Sequence, residues 1–143
     1  RPQAIVCELA CTFPGNKKTL ILNIPLDQNN QEVTGHASLE KNADEHNYRF
    51  HNTIKVKGDT LTNILQKRKI NKIDFLSIDV EGAETSVLMS IDFNKYTFGY
   101  ITIEFNNNSY LKGVIDNILT ANGYIFKQIN KFDIDYIHNS VHK

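Results

Sequence analysis

The feature that most constrains the fold is the run Lys72 to Asp79 (KIDFLSID), almost wholly apolar in its second half and ending on a carboxylate. A run of this kind is expected of a central strand covered on both faces. Behind it Ala83, Val87, Leu88 and Ile91 recur at helical spacing, and Tyr100 to Phe105 (YITIEF) is a second run rich in β-branched and aromatic residues. Strand, helix, strand is a crossover unit, which makes the two strands parallel. Further on, Leu111, Val114, Ile115, Ile118 and Leu119 mark an amphipathic helix, with Gly123 where a left-handed cap residue belongs. Tyr124 to Ile129 and Phe132 to Ile137, separated by Asn130-Lys131, then predict an antiparallel hairpin. The expected class is α/β: an open, mostly parallel sheet with an antiparallel C-terminal hairpin.

The first third is less regular. Ala4 to Leu9 predicts a strand stopping before the Pro14-Gly15-Asn16 turn, and Thr19 to Ile24 predicts a second, ended by Pro25 in a hairpin-like excursion. From Leu26 to Phe50 no period is sustained, so a long loop is expected, of a length that is often functional. Thr53 to Lys57 alternates as a strand does, and Gly58-Asp59-Thr60 supplies capping chemistry before Leu61, Ile64 and Leu65, which share a helical face. With 143 residues and neither repeat nor linker, the chain is expected to be one domain over 1–143.

Composition narrows the partners. Sixteen basic residues balance sixteen acidic ones, so no long-range field gathers nucleic acid or anionic lipid. No apolar run is long enough to span a membrane, and nothing at the start resembles a leader, so a soluble cytoplasmic protein is expected. Cys7 and Cys11, on one face of the predicted first strand and too far apart along it to bridge easily, are expected to be reduced, packed thiols. The opening Arg1-Pro2-Gln3, without methionine, suggests a fragment or trimmed chain.

Chemistry concentrates in Ile78-Asp79-Val80-Glu81-Gly82-Ala83-Glu84. Ligands of open α/β sheets bind at the carboxyl ends of the strands, where Asp79 is expected to stand rigidly on a strand tip. Gly82 permits close backbone approach, and Glu81 is expected at the positive N-terminus of the next helix. The structural alternative is that Glu81 and Glu84 serve only to cap that helix. Glu104 is a second carboxylate at a strand tip, and His36 lies in the long loop expected to cover the site. His36, His46 and His51 with Glu45 match no compact metal motif, so no metal is expected. Tyr96, Phe98, Tyr100 and Phe105 lack the basic interleaving of a base-stacking platform and are expected to pack internally.

Residues Ile73 to Glu84, followed by Val87-Leu88, resemble the signature of FkbM-type S-adenosylmethionine-dependent methyltransferases, with Ser77 in place of the commoner lysine. Gly35-His36-Ala37-Ser38-Leu39-Glu40 is similar to the family's serine-rich loop, and Ile54-Lys55-Val56 with Thr60-Leu61 to the segment that follows it. Ile101 to Phe105 and Gly123-Tyr124 resemble the family's later landmarks in the same order. The resemblance implies a Rossmann-like methyltransferase sheet of which this chain is the C-terminal part, because the family's first strands and glycine loop have no counterpart here. It implies Asp79 beside the methionine moiety of the cofactor, Ala10 and Cys11 near the adenine, Glu81 as a catalytic carboxylate on the acceptor side, and Glu104 and His36 against the acceptor. Without the glycine loop, cofactor binding by this chain is expected to be weak or lost.

Methyl transfer is an in-line displacement, so the protein aligns acceptor and methyl carbon and removes a proton when the acceptor is a hydroxyl. The first expectation is therefore transfer from S-adenosylmethionine to a small-molecule or sugar hydroxyl, with Asp79 or Glu81 as base. The second is a non-catalytic binding or assembly module on the same fold. A dinucleotide-dependent oxidoreductase would need the same absent glycine loop. An incomplete parallel sheet would leave a strand edge open, so self-association is expected as well.

Overall fold

The computed structural model of the protein describes residues 3–15, 18–39 and 49–141, the side chains of 49–51 lying outside the description. Among them are seven strands and three helices in the order β1 (Ala10–Cys11), β2 (Thr19–Leu26), β3 (Arg49–Asp59), α1 (Leu61–Lys67), β4 (Ile73–Ile78), α2 (Glu84–Met89), β5 (Phe98–Glu104), α3 (Ser109–Ala121), β6 (Tyr124–Asn130) and β7 (Asp133–His138). They form two mixed sheets, β1-β3-β2 and β4-β5-β7-β6.

The β4-α2-β5 crossover is present as the sequence predicts, with Ile73 to Ile78 running parallel to Phe98 to Ile103. The rest of that sheet is antiparallel: the C-terminal hairpin folds back so that β7, not β6, lies against β5. Mostly parallel therefore does not describe the sheets, in which the parallel pairs are β1–β3 and β4–β5. β4 is also not the middle strand. Among the described residues it has a neighbour on one side only, and Phe75 is 57% exposed, stacked on its register partner Tyr100 at 6.0 Å. The strand covered on both faces is β5, flanked by β4 and β7, with Phe98, Ile101 and Ile103 at most 1% exposed. They join Val87, Leu88, Ile115, Leu119, Ile134 and Tyr136 in the core.

Both longer capping assignments hold. Thr60 Oγ1 accepts from Asn63 N at 3.1 Å and starts α1, while Gly123, at φ +84, follows the end of α3. α2 is shorter than its apolar spacing suggested, since Ala83 is its N-cap and Ile91 lies beyond it, though both are buried. α1 and the end of α2 are tied by Leu61 N to Ser90 Oγ (3.0 Å) and Thr62 Oγ1 to Ser90 O (3.0 Å).

Ala4 to Leu9 is not a strand. Ile5 and Val6 are 71% and 78% exposed, and pairing begins only at Ala10↔Gly58 and Cys11↔Asp59, parallel to β3. Apolar composition supplies side chains for a sheet face, but a strand also needs a neighbour for its N–H and C=O groups. β1 and β2 make no hairpin either, because β3 lies between them. β2 runs through Pro25 to Leu26, with a register shift between Ile24 and Pro25 that absorbs the missing N–H. The predicted loop from Leu26 to Phe50 is not featureless where it is described: it bridges Leu26↔Glu32 and Asn23↔Ser38 and forms a 3-10 turn at Thr34–His36. Glu40, Glu45 and His46 lie outside the described residues.

Candidate functional site

β4 and β5 run parallel with Ile78 opposite Ile103, so the next residues along, Asp79 and Glu104, leave adjacent strand tips together. Past Asp79 the chain turns sharply, with Glu81 at φ +53 and Gly82 at φ +96. A left-handed glycine is unstrained, whereas a left-handed glutamate needs its surroundings to hold it. The holding group is Glu84. Its side chain is 2% exposed, and its Oε1 accepts from Gly82 N at 3.0 Å and Val80 N at 3.4 Å, clasping the turn between strand and helix.

The turn brings three carboxylates into one cluster. One oxygen from each of Asp79, Glu81 and Glu104 lies within 4.8 Å of the other two, a spacing that could bracket a cation. Burial raises the Glu104 carboxyl to about 7, and the negative charges of Asp79, Glu81 and Glu84 push the same way. Beyond Glu104, Phe105 N and Asn106 N donate to Phe132 O at 2.8 and 3.2 Å, so the β6–β7 turn fixes this tip. Asn106 and Asn107 are both left-handed, and Asn108 then caps α3 by accepting from Leu111 N at 3.0 Å.

His36 reaches the same place from the first sheet, with Nδ1 3.8 Å from Glu81 Oε1. Of the residues singled out from sequence, Asp79, Glu81, Glu104 and His36 thus converge. Glu81 does so from two residues before the N-cap of α2, not from the helix itself, and α2 is a helix of six residues. Ala10 and Cys11 do not join them: they pair with β3 in the other sheet, and Cys11 is no member of the carboxylate cluster. Burial raises the Cys11 thiol, as do the nearby charges of Asp59 and Cys7. Both cysteines are free thiols, although the strand geometry expected to separate them is absent.

Sequence reading did not foresee that three carboxylates form one cluster, nor that Glu84 clasps the turn. The first was within reach, since two parallel strands of similar length place their terminal acids side by side. Tyr96, Phe98 and Phe105 are buried in the core as expected, whereas Tyr100 is only half-buried and stacks on exposed Phe75.

In open α/β sheets ligands bind outside the carboxyl ends of the strands, and the three carboxylates stand at such ends. A family model described as the methyltransferase FkbM domain matches residues 4–126, and the chain belongs to that family of methyltransferases. Comparison with curated proteins and with solved structures gave no match. Among the described residues no helix is long and apolar enough to cross a membrane.

Proposed function

We propose that this domain takes part in transfer of a methyl group from S-adenosylmethionine to a hydroxyl of a small molecule or sugar. The observation that carries the reading is the juxtaposition of Asp79, Glu81 and Glu104 at the tips of β4 and β5, within a chain of the FkbM family. The order β4-β5-β7-β6, parallel then antiparallel, supports treating this sheet as one half of an open Rossmann-like sheet.

S-adenosylmethionine bears a sulfonium and an ammonium, and a cluster of carboxylates on rigid strand tips is complementary to both. Gly15, left-handed at φ +89, serves the turn that follows Pro14. When bound, the cofactor supplies a methyl group on a positively charged sulfur. What falls to this chain is to hold Asp79 on the donor side, to align the acceptor hydroxyl with Glu81 and Glu104, and to take up its proton. Glu104, held near 7, is the carboxylate matched to proton exchange at neutral pH.

Isothermal titration with S-adenosylhomocysteine tests the reading, run on residues 1–143 and on a chain extended upstream where the gene encodes one. Binding is expected in the chain that supplies a glycine cradle, weakened tenfold or more by Asp79→Asn, the scale of one lost charge-assisted contact. Failure of both chains to bind would replace this reading with a non-catalytic binding module.

A further inference from the structure

We propose that Thr34–Leu39 is a strap latched across the strand-tip cluster, and that His36 is a positioning residue that holds Glu81 on the acceptor side. The strap is anchored at Ser38 and reaches the cluster through His36. Its anchor is a two-way pair between Asn23 and Ser38, Asn23 N to Ser38 O at 2.8 Å and Ser38 N to Asn23 O at 3.1 Å. Asn23 Nδ2 adds bonds to Ser38 O (3.4 Å) and Leu39 O (3.5 Å), and both residues are at most 4% exposed. Polar groups buried and satisfied in this way fix the backbone they hold.

Between anchor and cluster stands one tight turn, closed by His36 N to Val33 O (3.1 Å) and Ala37 N to Thr34 O (3.3 Å). It carries His36 Nδ1 to 3.8 Å from Glu81 Oε1. Glu81 is the cluster member that the strap reaches: its left-handed backbone is clasped by Glu84, while its side chain stays 30% exposed on the strap side. A partly exposed contact of this kind, an ion pair only while the imidazole is protonated, contributes little to global stability. It suffices to bias a local equilibrium between a strap that lies on the cluster and one that lifts from it. The strap comes from the β2–β3 connection, so it also couples the first sheet to the site on the second.

That the strap walls the acceptor side rests on the methyl-transfer reading; the latch does not, and its test needs neither cofactor nor acceptor. Amide hydrogen exchange would be followed in wild type, His36→Gln, Glu81→Gln, the double variant and His36→Arg. The two single glutamine variants are expected to speed exchange at His36 and Ala37 by about two- to fivefold, the range of an exposed ion pair, while Ile101 and Ile103 keep their protection. The double variant should add nothing further, and His36→Arg should restore slow exchange by returning a cation. Additive effects of the two substitutions, no effect of either, equal behaviour of glutamine and arginine at 36, or loss of protection spread into β5 would each overturn the latch. Failed cofactor titration alongside a coupled His36–Glu81 result would remove the methyl-transfer reading and leave the latch in place.

Discussion

At Glu104 burial and three neighbouring carboxylates act in one direction, raising the carboxyl to about 7 from an ordinary 4.5. Below about 4.5 the group is protonated both folded and unfolded and contributes nothing to pH dependence. Between 4.5 and 7 the unfolded chain gives up this proton while the folded one keeps it, so folding stability falls as pH rises through that window and levels off above it. Glu104→Gln, which cannot ionise, is therefore expected to match wild type below pH 4.5 and to melt about 2–4 °C higher above pH 7. Thermal unfolding followed at a series of pH values checks this; a variant that melts lower at pH 8 would show that the carboxylate is stabilised by something other than its present surroundings. Asp79 and Glu104 were legible in the sequence as strand-terminal acids. Their proximity was not, because it depends on the register between β4 and β5, and neither was the left-handed backbone of Glu81, set by a clasp from Glu84 that no local preference announces.

Among the elements, β4 and β5 are held close by an absence. An added Cβ at Gly99 would lie 2.8 Å from Asp74 O, a backbone atom that cannot swing aside. Gly99→Ala is expected to cost about 1–3 kcal/mol, as overpacking does. Gly113, inside α3, has nothing within 4 Å of its added Cβ, so Gly113→Ala should instead stabilise by about 0.5–1 kcal/mol through helix propensity. Urea unfolding should shift the midpoint in opposite directions for the two variants with the same denaturant slope; a shared direction would refute the assignment. Helices were readable because an apolar face and a cap are local: Thr60 and Gly123 stand where their chemistry suggested. Strand rank was not. Ala4 to Leu9 and Ile73 to Ile78 look alike as apolar runs, yet among the described residues one pairs with no strand and the other with β5, and partners are a property of the whole chain.

Across the whole molecule, the second sheet has two outer strands that differ in how they are defended. β6 carries Lys127 at its centre and a register shift between Phe126 and Gln128, both devices that discourage pairing with another chain. β4 has no proline and no register shift against β5. Its nearby charges, Lys72 and Asp74, neutralise each other at 3.3 Å, and Phe75 is 57% exposed. The chain is therefore proposed to self-associate through the outer edge of β4, where no strand among the described residues pairs with it and an exposed ring lies close by. Sedimentation velocity should show an average mass that grows with protein concentration, and Ser77→Lys, at an exposed position of that strand, should reduce it toward the monomer. Lysine is what the FkbM signature usually has at this position, so the substitution adds a charge the family tolerates and should leave the fold intact. A mass that stays monomeric at every concentration would mean that this edge is shielded, and that Phe75 is exposed without consequence for assembly.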